Sequence, residues 1–132
     1  MSSFYALLKK IETQPGLYIG SPSVSNLFMF LVGYQFSRAE QGLPVTAEEE
    51  AFAEFQPWLQ QRFGLETTAS WAKILMLQAV DEGNGFELFF KLLEEFVESS
   101  AESAFAIANG NGVRGKQLTS LKQFSEDFSE ER

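Results

Sequence analysis

Between Ser21 and Gly42 the chain carries Val24, Leu27, Phe28, Met29, Phe30, Leu31, Val32, Tyr34 and Phe36, nine large apolar residues within thirteen positions. An amphipathic surface helix needs one apolar stripe, whereas this run is apolar nearly all round, which predicts a helix with neighbours on several sides. It is too short, and too interrupted by Gly33 and Gln35, to cross a bilayer, which takes about 20 apolar residues. Ser21 reads as its cap, and Pro22 suits its first turn because proline has no N–H to leave unpaired. Gly42, followed by Pro44, marks its end. The pattern therefore predicts a buried central helix over about residues 22–41. A glycine inside a helix costs up to ~1 kcal/mol relative to alanine, so Gly33 reads as a point where another backbone comes close.

The flanking segments are legible as further helices. Phe4, Leu7, Leu8 and Ile11 stand at i, i+3, i+4 and i+7, predicting a helix over 3–12. Pro15-Gly16 breaks it, and Leu17 to Gly20 read as a short extended link. Thr46 with Glu49 three residues on forms a capping box ahead of Phe52, Phe55, Leu59 and Phe63. Pro57 inside that stripe predicts a kink, or two short helices meeting at Gln56, with Gly64 closing the second. Thr67-Thr68 read as the cap of a helix over about 69–80, and Asp81 to Gly85 as a turn. The cleanest stripe follows over about 85–98, with Phe86, Phe89, Phe90, Leu93, Phe96 and Val97 on one side. From Ser99 onward small and polar residues dominate, leaving a thin last stripe of Leu118, Leu121, Phe124 and Phe128. The expected fold class is all-α: about five helices around the buried central one. The expected domains are a helical core of residues 1–98 and a loosely structured C-terminal arm of residues 99–132.

Composition limits the chemistry. In 132 residues there are 14 Phe, two Trp and three Tyr, enough bulky surface for one domain with its own core. Cys and His are both absent. That removes disulfides, thiolate nucleophiles, zinc sites of the Cys/His kind and histidine acid–base catalysis. The net charge of −8 opposes nonspecific binding to nucleic acid or to an anionic membrane; it would favour a basic partner, and ordinary solubility explains it equally well. Met1 to Ile11 lacks the basic-then-apolar order of a secretory signal, so the expected location is cytoplasmic.

Two motifs invite a catalytic reading. Gly110-Asn111-Gly112-Val113-Arg114-Gly115-Lys116 fits both G-x-G-x-x-G and G-x-x-x-x-G-K, with Gln117 where the latter needs Ser or Thr. A nucleotide fingerprint must leave a strand and open a helix, yet no strand pattern precedes this one and only sixteen residues follow Lys116. It reads as a turn. Pro15 to Ser21, Pro-Gly-Leu-Tyr-Ile-Gly-Ser, resembles the P-G-M-Y-I-G segment of the gyrase B type ATPases. The likeness ends after about seven residues. The helix with a Glu base and a metal-holding Asn, and the Asp-x-Gly-x-Gly loop, have no counterpart here, so no catalytic residue carries over.

A longer frame, P-G-x-Y-I-G-x-x-S-x-x-x-L-x-x-F-x-x-G-Y, is met by Pro15, Gly16, Tyr18, Ile19, Gly20, Ser23, Leu27, Phe30, Gly33 and Tyr34. This resembles small bacterial helical proteins that continue with a W-x-x-R-like helix, here Trp58 to Arg62, and a Phe-rich helix. The resemblance spans about residues 5–97 and implies an all-helical, immunity-like or antitoxin-like binding protein. Independently of it, Tyr34 and Arg38 lie one turn apart, and Tyr18 could reach them to line a small groove. Asp81 and Glu82 read as turn residues before they read as a catalytic pair. The expected function is thus non-catalytic: binding another protein, or a second copy as a homodimer, with a neutralising or regulatory role. No catalytic residue, cofactor or metal ligand is expected. The alternatives are a small-molecule binder or carboxylate enzyme with its pocket at Tyr18, Tyr34 and Arg38, and a structural oligomer subunit.

Overall fold

A computed structural model describes the backbone of residues 3–111 and the side chains of residues 3–101. Every regular element among the described residues is helical, as the periodicity predicts. In order these are α1 (Phe4–Thr13), α2 (Pro15–Ile19), α3 (Val24–Glu40), α4 (Ala47–Phe52), α5 (Phe55–Phe63), α6 (Trp71–Gln78) and α7 (Glu82–Asn111). The chain divides into two units, residues 1–90 and 91–132, and the boundary falls inside α7.

Local rules explain most helix ends. Ser3 caps α1 by accepting from Ala6 N at 3.1 Å. The Thr46–Glu49 capping box forms as predicted, each side chain accepting from the other residue's backbone N–H. Gly64 closes α5 in the left-handed conformation, φ 64° and ψ 39°. The expected break near Pro57 comes slightly earlier, at Ala53–Glu54, which leaves Pro57 in the first turn of α5. No intrahelical acceptor exists for an N–H there, so its missing donor costs nothing.

Four expectations about local structure need correction here. The cap of α6 is Ser70, whose hydroxyl accepts from Lys73 N at 3.3 Å, and not Thr67-Thr68. Leu17 to Gly20 is not extended: Pro15 at the first position opens the single turn α2, and Gly20 ends it at φ 87°. The cap of α3 is Ser23, whose hydroxyl accepts from Asn26 N at 3.1 Å, so Ser21 and Pro22 lie before the helix. Asp81 to Gly85 does not form a free turn. Asp81 accepts from Asn84 N at 2.8 Å and Asn84 accepts from Val80 N at 3.0 Å, so the segment opens α7 at Glu82. The same helix continues past Glu98 to Asn111, and the remainder of the expected arm lies outside the described residues.

The core of residues 1–90 is an aromatic cluster. Phe89 sits at its centre, with ring centroids 4.8 Å from Trp71, 4.9 Å from Phe90, 5.4 Å from Phe55 and 6.2 Å from Phe52. Phe4 meets Phe52 at 5.0 Å and Phe28 meets Trp71 at 5.2 Å, which ties α1 and α3 to the cluster. Such tilted and edge-on pairs add about 0.5–1.5 kcal/mol each beyond burial. In residues 91–101, Leu92, Leu93, Phe96, Val97 and Ala101 are buried on the continuing α7.

Helix α3 is central in the chain but not enclosed. Its buried residues are Val24, Leu27 and Leu31 alone, while Met29 is 64%, Val32 43% and Phe36 65% exposed. The expectation of a helix with neighbours on several sides is therefore corrected: neighbours cover one side. Gly33 is exposed, with nothing within 4 Å of where a β-carbon would stand, so no other part of the described chain comes close to it. The crowded glycine is Gly85, where a β-carbon would lie 2.7 Å from Val24 Cγ1 and 3.3 Å from Met76 Sδ, so it makes room for neighbouring side chains. The start of α7 packs on α3 and α6 only because this position has no side chain.

Candidate functional site

The inner side of α3 is a seam of Val24, Leu27, Leu31, Tyr34 and Arg38, alternating by three and four residues as a helix face must to stay on one side. A second seam of the same alternation runs through Ser25, Met29, Val32, Phe36 and Ala39. All five of these are exposed, and none is charged. Two seams on one 17-residue helix explain why the run reads as apolar all round. The inner one is spent on folding; of the outer one only Ser25, which donates to Glu82, is used in the fold.

The helix that presents the outer seam is held firmly at its start. Glu82 accepts from Ser25 N at 2.9 Å, from Ser25 Oγ at 2.7 Å and from Ser23 Oγ at 2.9 Å. The Ser25 bonds chiefly hold its carboxyl below the ordinary carboxylate range, with Ser23 adding to them and slight burial opposing. A negative charge at the first turn also suits the positive pole of α3. Asn26 adds a bond from its amide to Ile19 O at 3.0 Å, tying α2 to the same turn.

Of the three residues predicted to line a groove, two meet. The Arg38 guanidinium lies 5.9 Å from the Tyr34 ring centre, and Tyr34 stands 6.2 Å from Phe4. Arg38 is committed to structure. Its Nη2 donates to Pro44 O at 2.9 Å and its Nε stands 3.1 Å from Glu49 Oε1, an ion pair whose N–H is not aligned as a hydrogen bond. Glu49 is only 8% exposed, so the pair fastens α3 to the capping box of α4. Tyr18, half-buried on α2, has no hydrogen bond or ring contact to either residue among the described ones.

A concavity does exist elsewhere. Glu12, Pro15, Pro22, Phe86, Glu87 and Phe90 line a half-open groove of about 290 Å³ where the end of α1, the approach to α3 and the start of α7 converge. Sequence reasoning missed it because its walls come from three separate segments. Its lining combines apolar Pro15, Pro22, Phe86 and Phe90 with the carboxylates of Glu12 and Glu87. Among the described residues Tyr5 is also perturbed: burial first, then the charge of Glu48, raises its hydroxyl far above the ordinary tyrosine range. Glu48 in turn accepts from Tyr5 N at 2.8 Å, an anchor of α1.

Among the described residues no group of three or more acidic side chains is placed to hold a metal ion. No described helix is long and apolar enough to cross a membrane. Of the glycine-rich motif, Gly110 and Asn111 end α7, and residues 112–116 lie outside the described residues. No protein-family model, curated protein or solved structure matches the chain.

Proposed function

We propose that this protein acts by associating with protein through the outer seam of α3, without catalysing a reaction, and that it does so in the cytoplasm. The observation that carries the reading is the exposure of Met29, Val32 and Phe36 on one side of a helix whose other side is already buried. Full burial of an exposed side chain of this size is worth roughly 1.5–3 kcal/mol, and covering the exposed half or so of each of these gains a corresponding part of that. The ionisable groups with unusual surroundings support the same reading. Glu49 and Glu82 cap helices, Arg38 fastens a loop, and Tyr5 sits in the core. A regulatory or neutralising role is the one that suits a small protein working through such a surface.

The experiment compares the full chain with a Met29→Glu/Phe36→Glu variant as immobilised baits against native extract, with a circular-dichroism melt to establish that both are folded. Polypeptides, including further copies of the chain, retained by the first and lost by the second are the expected result. Equal retention by the two folded baits would remove the outer seam from the account.

A further inference from the structure

We infer that the occupant of the outer seam is a second copy of this chain, packed with the two α3 helices antiparallel. This rests on the association reading above and names its partner. Three features of the seam carry it.

The first is spacing. Ser25, Met29, Val32, Phe36 and Ala39 follow steps of four, three, four and three, the alternation that keeps one helix facing another along its length. The second is size. Antiparallel pairing that sets Phe36 against Val32 of the other copy also sets Met29 against the other copy's Ala39, so each layer joins a large residue to a smaller one. Parallel pairing in register would stack Phe36 on Phe36 and Met29 on Met29. Interdigitation of large with small is what packs a helix interface to interior density. Exposed Gly33, beside the seam and with open space where its β-carbon would be, lets the two backbones approach.

The third is charge. Two copies each carrying −8 repel, so they can touch only where neither presents a carboxylate. From Met29 to Ala39 the seam residues are uncharged; the Glu82 carboxylate held by Ser25 lies at the seam's end, outside the Phe36–Val32 and Met29–Ala39 layers, and the cation on α3, Arg38, is already paired with Glu49. A basic partner would gain little from a charge-free strip. The contact is small. One helix face falls short of the about 800 Å² per partner of a standard interface, so the dimer is a weak one, micromolar or weaker.

The salt dependence separates this occupant from a basic one. Sedimentation equilibrium of the full chain at tens to hundreds of micromolar should show a reversible monomer–dimer equilibrium that tightens as salt rises, because screening relieves repulsion between like charges. Val32→Glu should raise the dissociation constant at least about tenfold, the scale of a central contact residue. A chain that stays monomeric throughout, or a dimer that Val32→Glu leaves unchanged, overturns the inference, as does association that weakens with salt. The geometry has its own readout should Val32→Glu fail to fold. The chain has no cysteine, so Met29→Cys and Ala39→Cys single variants, mixed and oxidised, report register directly. Disulfides between the two variants should outnumber those within either by at least about fivefold, on the reach limits of the bond; equal yields or a majority within one variant would overturn the antiparallel pairing. If the chain is monomeric while Met29→Glu/Phe36→Glu still loses another polypeptide, the second copy falls and the association reading stands. Loss of neither removes both.

Discussion

Gly85 and Val24 approach so closely that a single methyl group on the glycine would lie 2.7 Å from Val24 Cγ1. Val24 is fully buried and β-branched, so it cannot swing aside. Gly85→Ala should therefore destabilise the protein by about 1–3 kcal/mol through overpacking. Gly33→Ala, exposed and unobstructed, should stabilise by up to about 1 kcal/mol through helix propensity. Urea denaturation of the two variants beside the parent checks both signs at once. Destabilisation by Gly33→Ala would mean that its surroundings are not open.

Phe89→Ala removes the hub of the aromatic cluster. A fully buried ring touching Phe52, Phe55, Trp71 and Phe90 should cost about 3–5 kcal/mol when truncated. A loss below 1 kcal/mol in denaturant titration would contradict the cluster.

The bonds from Ser23 and Ser25 to Glu82 predict a pH dependence. Because the folded-state pKa lies below the ordinary 4.5, the stabilisation is present above that value and is lost as pH falls through the lower folded one. Its size is that of a capping carboxylate, on the order of 1 kcal/mol, since the group is mostly solvated. Glu82→Gln should lower stability at neutral pH and flatten its decline below about pH 4.5, read by melts across that range. Parallel curves for parent and variant would count against the latch.

Arg38→Met strips Glu49 of its counter-charge while Glu49 stays buried. The expected loss is about 1–3 kcal/mol, less than for a fully enclosed pair because Arg38 keeps some solvent. Adding Glu49→Gln should restore part of it, because glutamine still completes the capping box with Thr46. A double variant no better than Arg38→Met would place the cost elsewhere.

What could be read from the sequence was local. The Thr46–Glu49 box, the closing of α5 by Gly64 and the stripe around Phe89 depend on neighbours within a few positions, which a linear pattern displays. What failed depended on distant partners. Periodicity counts apolar residues around α3 but cannot tell which side has company, so a two-seam helix read as an enclosed one. Nor can it tell which glycine is crowded: that is Gly85, against Val24 and Met76, and not Gly33. The contacts of Glu82 with Ser25 and of Glu48 with Tyr5 join residues 57 and 43 positions apart, and no spacing rule announces them. Helix spacing puts Tyr34 and Arg38 one turn apart, but the pairing with Glu49 that occupies Arg38 needs the fold.

The account turns on the outer seam of α3 being surface rather than core. The direct measurement is urea unfolding of Met29→Ser/Phe36→Ser at low protein concentration, where self-association is negligible, beside Leu27→Ser/Leu31→Ser on the inner seam. The outer pair should change stability by no more than about 0.5 kcal/mol per site, as exposed substitutions do, while the inner pair prevents folding. A loss above about 2 kcal/mol for the outer pair would show that the chain buries that face itself, and the proposed association surface would not exist.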